Sequence, residues 1–129
     1  WQLAAPPAKA DGPLQPHQVR LTTLNKPFTI SEPSLSGFRA ASCGYLFAPG
    51  HGLPGRVWSR PTLELAQTIA NYSDDKYLRK QLCKSHSLKS TFGMAVYDLL
   101  EPPAKGSLGS KPRAVLEVFF KSGSGSSVW

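Results

Sequence analysis

The chain has 129 residues, with 15 Lys and Arg against 8 Asp and Glu and a formal net charge of +7; its pI is near 9.7. That length supports one hydrophobic core rather than two, and an apolar share of 40% is too high for a chain disordered throughout. No apolar run approaches the roughly 20 residues of a membrane-spanning helix, and the positive balance favours nucleic acid or an anionic protein surface as partner.

Residues 1–16, WQLAAPPAKADGPLQP, are rich in proline and lack a periodic apolar pattern. They read as an extended arm that cannot build a core of its own. The start at Trp1, without an initiator Met or a basic-then-apolar leader, is the pattern expected of a processed chain, organellar or secreted rather than plain cytosolic, or of a trimmed one, which says nothing of location. From residue 17, Val19 and Leu21 alternate with Arg20 and Thr22, and Phe28 and Ile30 follow Asn25-Lys26-Pro27, which predicts two short strands. The next stretch, SEPSLSGFRAAS, reads as irregular, and CGYLFAP as a third strand with Tyr45 and Phe47 on one face.

A helix is predicted from about Ser59, with Pro61 in its first turn and Leu63, Leu65, Ala66, Ile69 and Ala70 as its apolar face. Ser73 followed by two aspartates then predicts a fresh N-cap and a second helix over 74–85. FGMAVYDLL and RAVLEVFFK are strand-like, the second with Ala114, Leu116, Val118 and Phe120 on one face and Val115 and Phe119 on the other; both are expected to be central or well covered. Between them EPPAKGSLGSKP reads as a long loop. Strands, two tandem helices and two further strands give an α+β class with a mainly antiparallel sheet over 17–121. The Gly/Ser-rich tail 122–129 cannot pack a core, and Val128 and Trp129 are its candidate anchor.

The stretch APGHGLPGR carries Gly50, Gly52 and Gly55 in the G-x-G-x-x-G spacing of a dinucleotide loop. Such a loop needs its glycines at a strand-to-helix junction, where free N–H groups meet the pyrophosphate. With Pro54 inside the motif and the next helix expected only beyond it, the context is wrong, and no cofactor is expected. The loop reads as a surface turn that brings His51, Arg56 and Arg60 toward an anion, with Trp58 as a stacking surface.

Lys76, Arg79, Lys80 and Lys84 fall on one side of the second predicted helix, with Leu78 and Leu82 opposite and Lys89 just beyond. Together with Arg56 and Arg60 they are the candidate polyanion contacts, able to neutralise phosphates without reading sequence. Cys83 lies in that basic stripe. It admits a disulfide to Cys43, closing a loop of about forty residues in an oxidising compartment, or two independent thiols. A catalytic thiol would need His51, His86 or Asp98 to converge on it, which their spacing does not show, and two cysteines without ligand spacing give no metal site. Asn71-Tyr72-Ser73 is an N-glycosylation sequon.

No catalytic residue is assigned. The leading expectation is a basic, non-enzymatic binding or assembly protein that contacts RNA, DNA or a larger complex as part of an oligomer or assembly. The alternative is a secreted, disulfide-stabilised effector or toxin-like binding domain.

Overall fold

The computed structural model of the chain describes residues 2–3, 19–98 and 111–121. The tail 122–129, most of the arm and most of the loop before the last strand lie outside the described residues. The domain is α+β. Its strands are β1 (Gln2–Leu3), β2 (Leu21–Thr22), β3 (Glu64–Ala66), β4 (Leu88–Val96) and β5 (Ala114–Lys121), and its helices are α1 (Ser36–Ser42), α2 (Gly52–Ser59) and α3 (Lys80–Ser85). The sheet runs β2-β1-β5-β4-β3, and every pairing in it is antiparallel.

The sheet is dominated by β4 and β5, paired from Leu88↔Lys121 to Val96↔Ala114 with one irregularity between Leu88 and Ser90. Both sequences are rich in β-branched and aromatic residues, which suit a pleated surface. The alternation expected of β5 holds, with Val115 buried and Leu116 exposed. Helices α2 and α3 cover one face only: α2 lies against β4 and β5, and α3 against β4. Leu53 and Val57 of α2 press onto Gly93, where an added Cβ would sit 2.4 Å from Leu53 Cδ2, so a side chain there would force Leu53 to shift. The core formed in this layer gathers Leu21, Phe38, Phe47, Leu53, Val57, Ile69, Tyr77 and Val115. Both strands are central in the sheet, as expected, and the side chains on the other face of β4 and β5 are half-buried or exposed.

Several local expectations are corrected. The glycine stretch is itself helical, because α2 begins at Gly52, inside the motif. The helix predicted from Ser59 does not form. Arg60 precedes Pro61 and is extended at φ −128° and ψ 91°, as clash with the proline ring requires, and the chain continues into β3 and a 3-10 turn at Ile69–Asn71. Leu63 and Leu65, assigned to a buried face, are 67% and 53% exposed.

The second predicted helix is shorter than 74–85. Residues 73–77 form a turn in which the Lys76 and Tyr77 N–H groups both donate to the Ser73 carbonyl, and α3 starts only at Lys80. The irregular stretch contains α1, entered through a 3-10 turn with a proline at its start. CGYLFAP contributes a single bridge, Phe47↔Leu21, and the strand expected around Phe28 and Ile30 is absent, with both side chains exposed.

Candidate functional site

Arg79 is the largest departure from the expected basic stripe. It precedes α3 and, with Cys83 one turn later, points into the core, where it is 2% exposed. Its guanidinium pairs with the Glu117 carboxylate on the helix-covered face of β5 and sits 5.9, 5.2 and 5.0 Å from the ring centroids of Phe38, Phe47 and Phe119, a cation–π cage. Glu117 also accepts from the Tyr77 hydroxyl at 3.2 Å and the Thr91 hydroxyl at 3.5 Å. A buried charge needs this degree of pairing. Arg79 therefore organises the core and is not available to a phosphate.

The other candidate cations divide into paired and exposed. Arg56 Nε donates to both Glu64 carboxylate oxygens at 3.0 and 3.1 Å, and its Nη1 donates to the Lys76 carbonyl at 2.7 Å. Lys80 lies 3.6 Å from Asp74. Lys76, Lys84, Lys89 and Arg60 are exposed. Lys76 stands on the turn before α3, Lys84 in its last turn, and Lys89 at the start of β4. Two acids are tuned by local contacts: the Lys121 ammonium holds Glu32 below the usual carboxylate range, and the Ser73 hydroxyl, first among several contacts, does the same for Asp75.

The glycine loop gathers no anion site. The first turn of α2, Gly52 to Gly55, is buried. Its glycines serve close packing: a Cβ on Gly52 would lie 2.6 Å from the Phe47 ring, and one on Gly55 would lie 2.1 Å from the Ala48 carbonyl oxygen. His51, at the helix N-cap, is exposed, whereas Trp58 packs against the core. With Arg56 occupied by Glu64, the four residues expected around an anion do not converge.

The cysteines are both free, so of the two arrangements open from sequence the structure has the independent thiols. Cys83 is 0% exposed with its sulfur 4.0 Å from the Tyr77 hydroxyl. Burial raises its thiol to about 11, with the Arg79 charge opposing only in part, so it is poorly suited to attack as a thiolate. Burial, followed by the Glu117 charge, also raises the Tyr77 phenol. Cys43 is half-buried and accepts from Arg39 Nη1 at 2.7 Å. His86 has contacts of its own, with Nδ1 3.0 Å from the Leu82 carbonyl and its ring edge-on to Phe38.

One concavity was not expected from sequence, an open groove of about 410 Å³ lined by residues that include Leu24, Lys26, Phe28, Ile30, Arg39 and Cys43. Arg39 stacks on Phe28 at 4.5 Å and donates to Thr23 Oγ1 and to the carbonyls of Thr23 and Lys26 at 3.0, 2.7 and 3.2 Å. Its donors thus clamp the 23–26 turn and leave an apolar floor. Among the described residues no three His, Cys, Asp or Glu side chains cluster to hold a metal, and no helix is long and apolar enough to cross a membrane. Asn71 is exposed at the end of its 3-10 turn.

No family model matches the chain. It is 31% identical over 90 residues to Protein NLP2 of Oryza sativa subsp. japonica, a match that covers 65% of this chain and 10% of that protein. It is also 31% identical over 86 residues to Protein NLP3 of the same species, covering 60% of this chain and 9% of that protein. The matched stretch is thus about a tenth of the length of these curated relatives.

Proposed function

We propose that this domain is a non-catalytic binding and assembly module whose exposed cations contact a polyanion, RNA or DNA. One observation carries the reading. Acids of the described domain are drawn into ion pairs, Glu64 with Arg56, Glu117 with Arg79, Glu32 with Lys121 and Asp74 with Lys80, while Lys76, Lys84, Lys89 and Arg60 stay at the surface. The net charge of +7 is therefore expressed by side chains that can reach phosphates.

The contacts of this kind are electrostatic and do not select sequence. Cys83 is buried with a raised thiol, which suits a structural role rather than a nucleophilic one. A fluorescence-anisotropy titration tests the proposal, using labelled single-stranded RNA and duplex DNA with an uncharged polymer as control. The expected result is binding to both nucleic acids that weakens steeply with salt. Binding that is equal for the uncharged polymer, or absent at low salt, refutes it.

A further inference from the structure

We infer that the outer face of the β3-β4-β5 sheet is an interface between two copies of this chain. Both main helices that touch β4 lie on its opposite face, with Gly93, Thr91 and Val115 buried beneath them. On the outer face Leu65, Met94, Val96, Leu116 and Phe120 are 53%, 40%, 39%, 48% and 40% exposed. They form one patch, because Leu65 pairs with Phe92, Met94 pairs with Leu116, and the Phe92 and Phe120 rings lie 6.0 Å apart.

Charge and area point to a second copy as the occupant. The outward positions of β4 and β5 are Ser90, Phe92, Met94 and Val96 on one strand and Ala114, Leu116, Val118 and Phe120 on the other, and none is charged. A polyanion finds nothing to pair with there, whereas a charge-depleted apolar centre is the composition of an interface core, above all in homodimers. The exposed parts of these side chains amount to on the order of 500 Å² per copy, or roughly 1,000 Å² in a pair, which reaches the threshold for a specific interface and lies in the upper part of the range of the largest apolar patch on a monomer. A two-fold axis between two such sheets stacks the patch on itself at the roughly 10 Å spacing of packed sheets. The inference goes beyond the polyanion reading and shares no residue with it, so either can fail alone.

Sedimentation velocity on the full chain tests it. A monomer–dimer equilibrium is expected with a Kd on the order of 1–100 µM, given the modest area. It tightens as salt is raised, because screening weakens repulsion between two copies of charge +7. Leu116→Lys, at an exposed position that should not disturb folding, is expected to weaken the dimer at least about 100-fold by placing a charge from each copy in the apolar centre. Leu24→Lys, on the 54% exposed Leu24 away from this face, leaves it unchanged. A chain that remains monomeric to several hundred micromolar overturns the inference, as does a dimer insensitive to Leu116→Lys with circular dichroism unchanged.

Discussion

Replacing Glu117 with glutamine is expected to be among the most damaging single changes in the chain. The carboxylate and the Arg79 guanidinium are each 2% exposed, and Arg79 is walled by three phenylalanine rings. The substitution keeps the volume and some hydrogen bonding to Tyr77 and Thr91, but it leaves a cation in the core without its counter-charge. Breaking a buried pair in this way costs about 3–5 kcal/mol, a large part of the 5–15 kcal/mol that a domain typically holds. With a urea m-value of about 2 kcal/mol/M, the midpoint falls by roughly 2 M. Urea titration followed by circular dichroism measures this. The double variant Arg79→Met/Glu117→Leu removes both charges and is expected to recover most of the loss, because the apolar cage around Arg79 suits a methionine. A single-variant cost below about 1 kcal/mol, or a double variant as damaged as the sum of the singles, would refute the assignment of this pair to the core.

In native protein, Ellman's reagent should modify Cys43 and leave Cys83 untouched until denaturant is added, since Cys83 is fully buried; equal reactivity contradicts this. Cys83 is raised from 9.0 to about 11 in the fold, so its contribution is fully present below pH 9 and is lost as pH rises through 11. Stability should fall by about 2–3 kcal/mol across that window, and Cys83→Ala should remove the part of the slope that begins near pH 9. Gly55→Ala, which sets a methyl 2.1 Å from the Ala48 carbonyl oxygen, should cost about 1–3 kcal/mol in thermal or urea unfolding. Gly50→Ala has open space, with its nearest neighbour at 4.0 Å, but a φ of +80°, and should cost about 1–2 kcal/mol through backbone strain alone; a neutral result at either position refutes its role.

The long strands were legible because their signal is local. In RAVLEVFFK the period of two is carried by bulky residues on both faces, and β5 covers residues 114–121 almost as expected. The same segment held a clue to the buried pair. Glu117 shares a face with Val115 and Phe119, and an acid in an apolar row calls for a buried cation; Arg79, spaced i, i+4 from Cys83, was the available one. The stripe of Lys76, Arg79, Lys80 and Lys84 misled because a helical projection presumes that the helix already exists at residue 76, whereas the chain turns there and α3 starts at Lys80.

The helix predicted after Ser59 failed on a short-window ambiguity, since Leu63, Leu65 and Ala66 suit either period, and Pro61 ends α2 rather than opening a new helix. Helix α2 could not be read locally at all. Its glycines and proline lower helix propensity, and what stabilises it is packing of Leu53 and Val57 onto Gly93, a contact distant in sequence. The exposed outer face of the sheet was hidden for a related reason: alternation shows that two faces differ, but not which elements cover each one.

Contact between the exposed lysines and a polyanion would be read in the salt dependence of nucleic-acid binding. Log K against log salt for duplex DNA should fall with a slope of about −3, near −0.9 for each of three or four neutralised phosphates. The Lys76→Gln, Lys84→Gln and Lys89→Gln variants should each flatten it by about 0.7–0.9, while Lys26→Gln, on a residue beside the Arg39 clamp, should leave it unchanged. A slope near zero, or one that the triple variant leaves intact, would contradict the account.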